Sequence, residues 1–389
     1  MIMKKILFLI IVIFSLNQFS QAQNPTMLWQ GVERNYKILT PANYNSEESL
    51  PMLVFLHGLG DNIDNNNEIY QRIADEFEWI VLLPQALEAS VNLMGTIIDI
   101  GYMWNSGMSV SVGPLTVSPN SDVDDPGFIM ALIDTIKANY NIESENIYLS
   151  GFSMGGFMTH RMATEYGDKF NSFVATSGMM PKSLENATPS QPVKIMHIHG
   201  TTDPIVSYNG TSSVVEGMPN LLVGLTVEQT INFWVNNNGA NTTPIIDSLE
   251  DRKDDGLRFI RHSYLGEDAK QEVRFLKIEG GEHIPYVDSE IYDIDCLAEM
   301  YDFFTNNRTA VGLEEIAETK IRMFPNPATT KIQLISDKNM TITIFDMTGN
   351  TLLIKEIKKG ANAIDISHLK SGCYILKNNF GQQRKLIKQ

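Results

Sequence analysis

The chain has 389 residues, 43% hydrophobic and 20% charged, a balance that excludes a mainly disordered chain and suits one large domain plus a smaller one. Its two cysteines, Cys296 and Cys373, are too few for a disulfide scaffold, so stability has to come from an apolar core. Residues 24–319 carry 16 basic and 42 acidic side chains, a net of −26, whereas residues 320–389 carry 12 and 4, a net of +8; the acidic part repels nucleic acid and anionic surfaces and excludes them as its partners.

In chain order, Lys4 and Lys5 precede the apolar run Ile6–Leu16, and Ser20-Gln21-Ala22 supplies small residues, so residues 1–22 read as a secretory signal peptide cleaved after Ala22. The run is short for a bilayer span, and no later segment is long and apolar enough, so no integral membrane segment is expected. Residues 24–305 form the large domain. Continuous apolar strands are expected at Met52–Leu56, Trp79–Leu83, Asn146–Leu149 and Val193–Ile198. Such strands imply a parallel sheet buried on both faces. Apolar spacings of three and four predict helices over 126–140, behind Pro126, and over 226–238, from Thr226 to an Asn-rich stop; 294–304 reads as a last helix. The fold class is α/β, a doubly wound and mostly parallel sheet.

Residues 101–123 interrupt the alternation. They are uncharged until Asp122 and rich in Ser, Gly and Pro, and they read as a long functional loop. Trp104 and Tyr102 within it suggest a lid or substrate wall, and Trp104 is taken with Tyr208 as the candidate substrate-binding residues. After a linker at 306–319, residues 320–389 show short alternating strands at 331–335, 340–345, 351–357, 363–366 and 373–377, separated by turn residues and without a helix. That pattern predicts a small all-β sandwich.

Gly151-Phe152-Ser153-Met154-Gly155 matches G-x-S-x-G, with a buried strand leading in and a helical segment leading out. The chain must turn sharply from strand to helix around Ser153, and side chains at either glycine would clash. This is the nucleophile elbow of the α/β-hydrolase fold, whose partners follow in the order Ser, acid, His. That order selects among the seven histidines. His57, His160, His197 and His199 come too early, His262 lies in an alternating strand, and His368 belongs to the tail. His283, in Gly280-Gly281-Glu282-His283-Ile284-Pro285, is the expected base. Asp203 directly follows the strand ending His199-Gly200 and is the expected acid; Asp168, Asp247, Asp251, Asp254, Asp255 and Asp268 read as solvated. The Gly-rich turn His57-Gly58-Leu59-Gly60 follows the first central strand. It supplies the Leu59 backbone N–H to an oxyanion, alongside that of Met154, while His57 is expected to be structural.

The segments LHGLGDN, VDDPGFIMALID, YNIESENIYLSGFSMGG, HIHGTTDPIVSYNG and GGEHIPY together resemble the polyhydroxybutyrate depolymerases and feruloyl or acetyl-xylan esterases, a group of secreted α/β hydrolases. The resemblance spans nearly all of residues 27–305. It implies Ser153, Asp203 and His283 as the triad, in agreement with the residue reading, and Asp124 and Asp125 as braces for the loop and helix before the elbow strand. The chain departs from many relatives in having Leu59 where they place a cysteine after the His-Gly turn, and no disulfide pair. The tail, from Phe324-Pro325-Asn326-Pro327-Ala328 to the basic finish Arg384-Lys385-Leu386-Ile387-Lys388, resembles the C-terminal sorting domain of type IX secretion. That implies the type IX machinery as a partner and an extracellular or outer-surface location.

The expected activity is hydrolysis of a carboxylic ester, small or polymer-linked, with no metal or organic cofactor. A serine peptidase of the same fold and a non-catalytic carbohydrate-binding or adhesion protein are the alternatives. Activity on a short p-nitrophenyl ester separates the enzymes from the adhesin.

Overall fold

The computed structural model describes residues 24–309 and 322–389, apart from 94–95, 109, 113–114, 119, 213–220, 223, 337–338, 348 and 379–382. The expected signal peptide and residues 310–319 of the expected linker lie outside the described residues. Two units divide the chain, Met1–Ala310 and Val311–Gln389.

The first unit runs β1 (Thr26–Trp29), β2 (Val32–Leu39), β3 (Leu50–Leu56), α1 (Asn67–Phe77) and β4 (Ile80–Pro84). Two hairpins follow, β5 (Leu87–Leu93) with β6 (Thr96–Met103) and β7 (Val110–Val112) with β8 (Leu115–Val117). Next come α2 (Asp125–Asn139), β9 (Ile142–Phe152), α3 (Met154–Glu165), β10 (Ser172–Thr176), β11 (Ile195–Gly200) and the short pair β12 (Thr211–Ser212) and β13 (Leu221–Leu222). The unit closes with α4 (Val227–Asn238), β14 (Ile245–Ser248), β15 (Arg258–Tyr264), β16 (Val273–Glu279) and α5 (Cys296–Thr305). Ten strands form one sheet in the order β1-β2-β4-β3-β9-β10-β11-β16-β15-β14. The central strands β4, β3, β9, β10, β11 and β16 are parallel, and the antiparallel strands lie at both edges.

Alternation along these strands makes two cores. Met52, Val54, Ile80, Leu82, Ile147, Leu149, Phe173 and Ile195 pack with residues of α2, α3 and α4. Leu53, Val81, Leu83, Tyr148, Val174, Met196 and Leu276 face the other way, against α1 and α5. Because both faces are dry, polar positions in the strand sequences disappear and the strands read as unbroken apolar runs. Helix starts follow local chemistry. The Asp124 side chain accepts from the Gly127 N–H at the start of α2, and Thr226 and Gln229 form a reciprocal capping box at α4. Among the described residues no helix is long and apolar enough to cross a membrane.

The expected uninterrupted loop at 101–123 is corrected. It begins in β6, whose pairing with β5 satisfies the backbone groups there, and it contains the β7–β8 hairpin. Its Ser, Thr and Val residues form strands by pairing at close sequence separation, a register that composition does not reveal.

The second unit is all β: β17 (Arg322–Phe324), β18 (Lys331–Ser336), β19 (Met340–Asp346), β20 (Thr351–Ile357), β21 (Gly360–Asp365), β22 (Gly372–Asn378) and β23 (Gln383–Lys388). The sheets are β17-β18-β21 and β20-β19-β22-β23. Ile332, Leu334 and Ile364 from one sheet share a core with Ile342, Ile344, Leu376 and Leu386 from the other, as in a sandwich.

Candidate active site

Parallel strands deliver their C-terminal ends to one edge of the sheet. Ser153 follows β9, Asp203 follows β11, His283 follows β16, and the His57–Gly60 turn follows β3. At the elbow Ser153 takes φ 55° and ψ −118°, a strained conformation for a residue with a side chain. The Ser153 N–H donates to the Thr176 carbonyl at 2.8 Å, pinning the turn to the neighbouring strand. A Cβ on Gly151 would lie 2.3 Å from the Gly155 carbonyl oxygen, and one on Gly155 would lie 2.0 Å from that of Leu56. Strand, turn and helix therefore meet at backbone contact, which is what requires both glycines.

His283 Nε2 lies 2.9 Å from Ser153 Oγ, and His283 Nδ1 lies 2.6 Å from Asp203 Oδ2. Asp203 is buried, and its other oxygen accepts the backbone N–H groups of Ile205 and Val206 at 2.9 and 2.8 Å. The acid turn and the histidine loop are joined directly: the Thr202 N–H and Oγ1–H both donate to the Gly281 carbonyl, each at 2.9 Å. The Phe152 ring packs 4.9 Å from the His283 ring. The three residues expected from the sequence thus meet in one hydrogen-bonded line, an arrangement able to pass a proton from a serine hydroxyl to an imidazole held in one tautomer by a carboxylate.

The N–H groups of Leu59 and Met154 have no hydrogen-bond partner among the described residues. Met154 is the first residue of α3, where helix N–H groups are unpaired and the dipole favours negative charge. The turn carrying Leu59 is fastened on two sides. The Gly60 N–H donates to the Tyr102 carbonyl at 2.8 Å, and the Trp104 Nε1–H donates to the His57 carbonyl at 3.0 Å. His57 Nδ1 lies 2.7 Å from the Gly58 carbonyl, and its Nε2 accepts from the Ala86 N–H at 3.1 Å. Burial lowers its pKa to about 4, so the ring is neutral and structural, as expected.

Trp104 requires a correction. It is 0% exposed, its ring lies 5.0 Å from that of His57, and its N–H is engaged by the turn. It is a buried brace beneath the Leu59 turn, not a wall that a substrate touches. Sequence reasoning missed this because an aromatic residue in a polar, Gly-rich stretch looks exposed, whereas Trp104, the first residue after β6, is fully buried. Tyr208 is half-buried and edge-on to His199 at 5.9 Å.

Asp124 and Asp125 act as the resemblance implied. Asp125 pairs with buried Arg34 at 2.6 Å and accepts the Asn105 N–H at 2.6 Å, tying β2 and the chain after Trp104 to the start of α2. Burial raises the Asp125 pKa and Arg34 opposes the rise. The Arg34 partnership left no signal in the sequence, because the two residues lie 91 positions apart.

A cavity of about 190 Å³ adjoins the turn and the elbow. Gly58 and Phe152 are among its lining residues, with Phe55, Tyr70, Ile73 and Leu297, and none of Ser153, Asp203 and His283 lines it. Among the described residues no group of His, Cys, Asp and Glu is arranged to hold a metal ion.

Residues 43–229 match the phospholipase/carboxylesterase family, and residues 322–389 match the secretion system C-terminal sorting domain, which marks the chain for secretion. The chain is 28% identical over 181 residues to a bifunctional acetylxylan esterase/xylanase of Neocallimastix patriciarum, covering 46% of this chain but only 23% of that protein's length. It is 22% identical over 264 residues to the probable feruloyl esterase C of Aspergillus niger, covering 67% of this chain and 81% of the relative. A solved acetyl xylan esterase from Aspergillus awamori superposes with a TM-score of 0.45 at 13% identity, covering 69% of this chain and 94% of that one.

Proposed function

Residues 43–229 belong to the phospholipase/carboxylesterase family of α/β hydrolases and residues 322–389 to the sorting domains of a secretion system, and on that premise we propose a secreted serine esterase with Ser153, His283 and Asp203 as its triad. The observation that carries this reading is the hydrogen-bonded line Ser153–His283–Asp203 beside two unpartnered backbone N–H groups. Ser153 Oγ attacks the ester carbonyl carbon while its proton moves to His283 Nε2. The N–H groups of Leu59 and Met154 hold the negative oxygen that forms. As the tetrahedral species collapses, the C–O bond to the alcohol breaks and His283 returns the proton to the leaving oxygen. Water then repeats the sequence on the acyl-enzyme, releasing the acid and restoring Ser153.

The adjoining cavity supports a compact acyl group. Its walls are mainly aromatic and aliphatic, and a dry cavity of about 150 Å³ accommodates a benzene ring, so the 190 Å³ here suits one substituted ring or a short alkyl chain. The relatives' names suggest feruloyl or acetyl esters carried on xylan; polyhydroxybutyrate is the further polymer that the family resemblance brings. The sorting domain supports export by type IX machinery, with the enzyme released or held at the outer surface. Initial rates on feruloylated xylan, acetylated xylan and polyhydroxybutyrate test the substrate. Turnover of a xylan ester above that of polyhydroxybutyrate is expected, and the reverse order contradicts the xylan assignment.

A further inference from the structure

The strand that leads to the acid carries two histidines, His197 in register with Ala175 of β10 and Phe275 of β16, and His199 in register with Lys277 of β16. On β11, Ile195 packs into the layer of α2, α3 and α4, and the two-residue period turns His197 and His199 the same way, fully buried. Their rings stack 5.3 Å apart. His197 Nδ1 lies 3.4 Å from His160 Nε2 on α3, and Trp234 of α4 donates its Nε1–H to His160 Nδ1 at 3.0 Å. Desolvation lowers the pKa of all three histidines, so the row is neutral.

A neutral imidazole has one N–H, and that of His199 sits on Nε2, since Nε2 meets the Val206 carbonyl at 2.8 Å. Its Nδ1 is then a buried acceptor without a partner, and Nε2 of His197 is likewise unpartnered. An aliphatic residue would leave neither atom unsatisfied, so the gain from histidine here is the Nε2–H contact. That contact lies behind the acid. Val206 ends the turn whose Ile205 and Val206 N–H groups hold Asp203 Oδ1. The same Nε2 lies 3.6 Å from Asp203 Oδ2, the oxygen that faces His283. One ring therefore reaches both ends of the acid turn.

We propose that His199 is a positioning residue for hydrolysis, holding the Asp203–Val206 turn so that Oδ2 meets His283 Nδ1 in line. It acts through Asp203 and exchanges no proton. The inference rests on the reading of Ser153, His283 and Asp203 as the triad.

The test compares two replacements of similar length in the full-length protein. His199→Gln keeps an N–H able to reach the Val206 carbonyl, and His199→Met keeps the bulk without it. With p-nitrophenyl acetate, His199→Met is expected to lower kcat about 10- to 100-fold with KM within about twofold, and His199→Gln to stay within about threefold of the unmodified enzyme. In an Asp203→Asn background the Gln and Met variants should differ by less than about twofold, since the turn then has no carboxylate to aim. Equal kcat for the Gln and Met variants, or the same Gln–Met difference in both backgrounds, overturns the proposal. If neither variant folds, as judged by near-UV circular dichroism, packing is the residue's role and the proposal fails. Ser153→Ala in the same assay separates the two readings: an active Ser153→Ala removes the triad, whereas an inactive one beside a fully active His199→Met removes only the role of His199.

Discussion

Replacing Trp104 with Phe asks whether this ring braces the Leu59 turn or touches substrate. The substitution keeps an aromatic ring in the fully buried slot but deletes the N–H that meets the His57 carbonyl at 3.0 Å. A buried carbonyl left without its donor costs about 1–3 kcal/mol, and the smaller ring forfeits about 1 kcal/mol more in packing. Together these predict a loss of about 2–4 kcal/mol, read as a Tm lowered by several degrees. The freed turn also carries the Leu59 N–H. Complete loss of one oxyanion donor costs about 10²- to 10³-fold in kcat, so a turn still held by the Gly60–Tyr102 bond should lose about tenfold. KM should change little, and by the same factor for p-nitrophenyl acetate and for a bulky aromatic ester. Thermal unfolding with steady-state kinetics on both esters provides the check. An unchanged Tm, with KM raised for the aromatic ester alone, would refute the brace and return Trp104 to the substrate wall.

Two further outcomes follow from the same physics. His57, His160, His197 and His199 are buried with lowered pKa values, about 4 for His57 and about 3 for His160, so unfolding exposes groups that bind protons the native state excludes. Their contribution is complete above the unfolded value of about 6.5 and declines as pH falls towards the folded values, by up to about 1.4 kcal/mol per pH unit for each ring; denaturant unfolding at pH 7.5, 6 and 5 should show a steep loss, and a flat profile would contradict neutral burial. The tail has its own core of Ile332, Leu334, Ile342, Ile344, Ile364, Leu376 and Leu386, so a chain cut back to residues 24–312 should hydrolyse esters at the full-length rate, while deletion of 320–389 in a type IX-competent host should leave the enzyme in the periplasm. Loss of ester hydrolysis by a folded 24–312 chain would contradict the division of roles.

The central sheet was legible because strands buried on both faces leave unbroken apolar runs, and Met52–Leu56 and Trp79–Leu83 fall on β3 and β4 almost to the residue. The geometry around Ser153 was legible because the elbow imposes small residues at fixed spacing and the partners follow in a fixed order. The β7–β8 hairpin was not, since each of its strands is only three residues long, whereas β5 does carry a period-two alternation, with Leu87, Ala89, Val91 and Leu93 set against Glu88, Ser90 and Asn92. The supports of the site were equally hidden. The Trp104–His57 bond, the Arg34–Asp125 pair and the His199–Val206 contact are each made by tertiary packing, and only the last is local in sequence. His197 and His199 read as ordinary members of a buried strand until the alternation of β11 places both beside α3 and α4.

The measurement that bears most directly on the account is the site of covalent capture by a fluorophosphonate, which phosphonylates only a serine activated by its neighbours. Peptide mapping by mass spectrometry after stoichiometric inactivation should place one adduct on Ser153, with none on the Ser153→Ala protein and ester hydrolysis lost in parallel. An adduct on another residue, or full hydrolysis by Ser153→Ala, would contradict the assignment of the nucleophile.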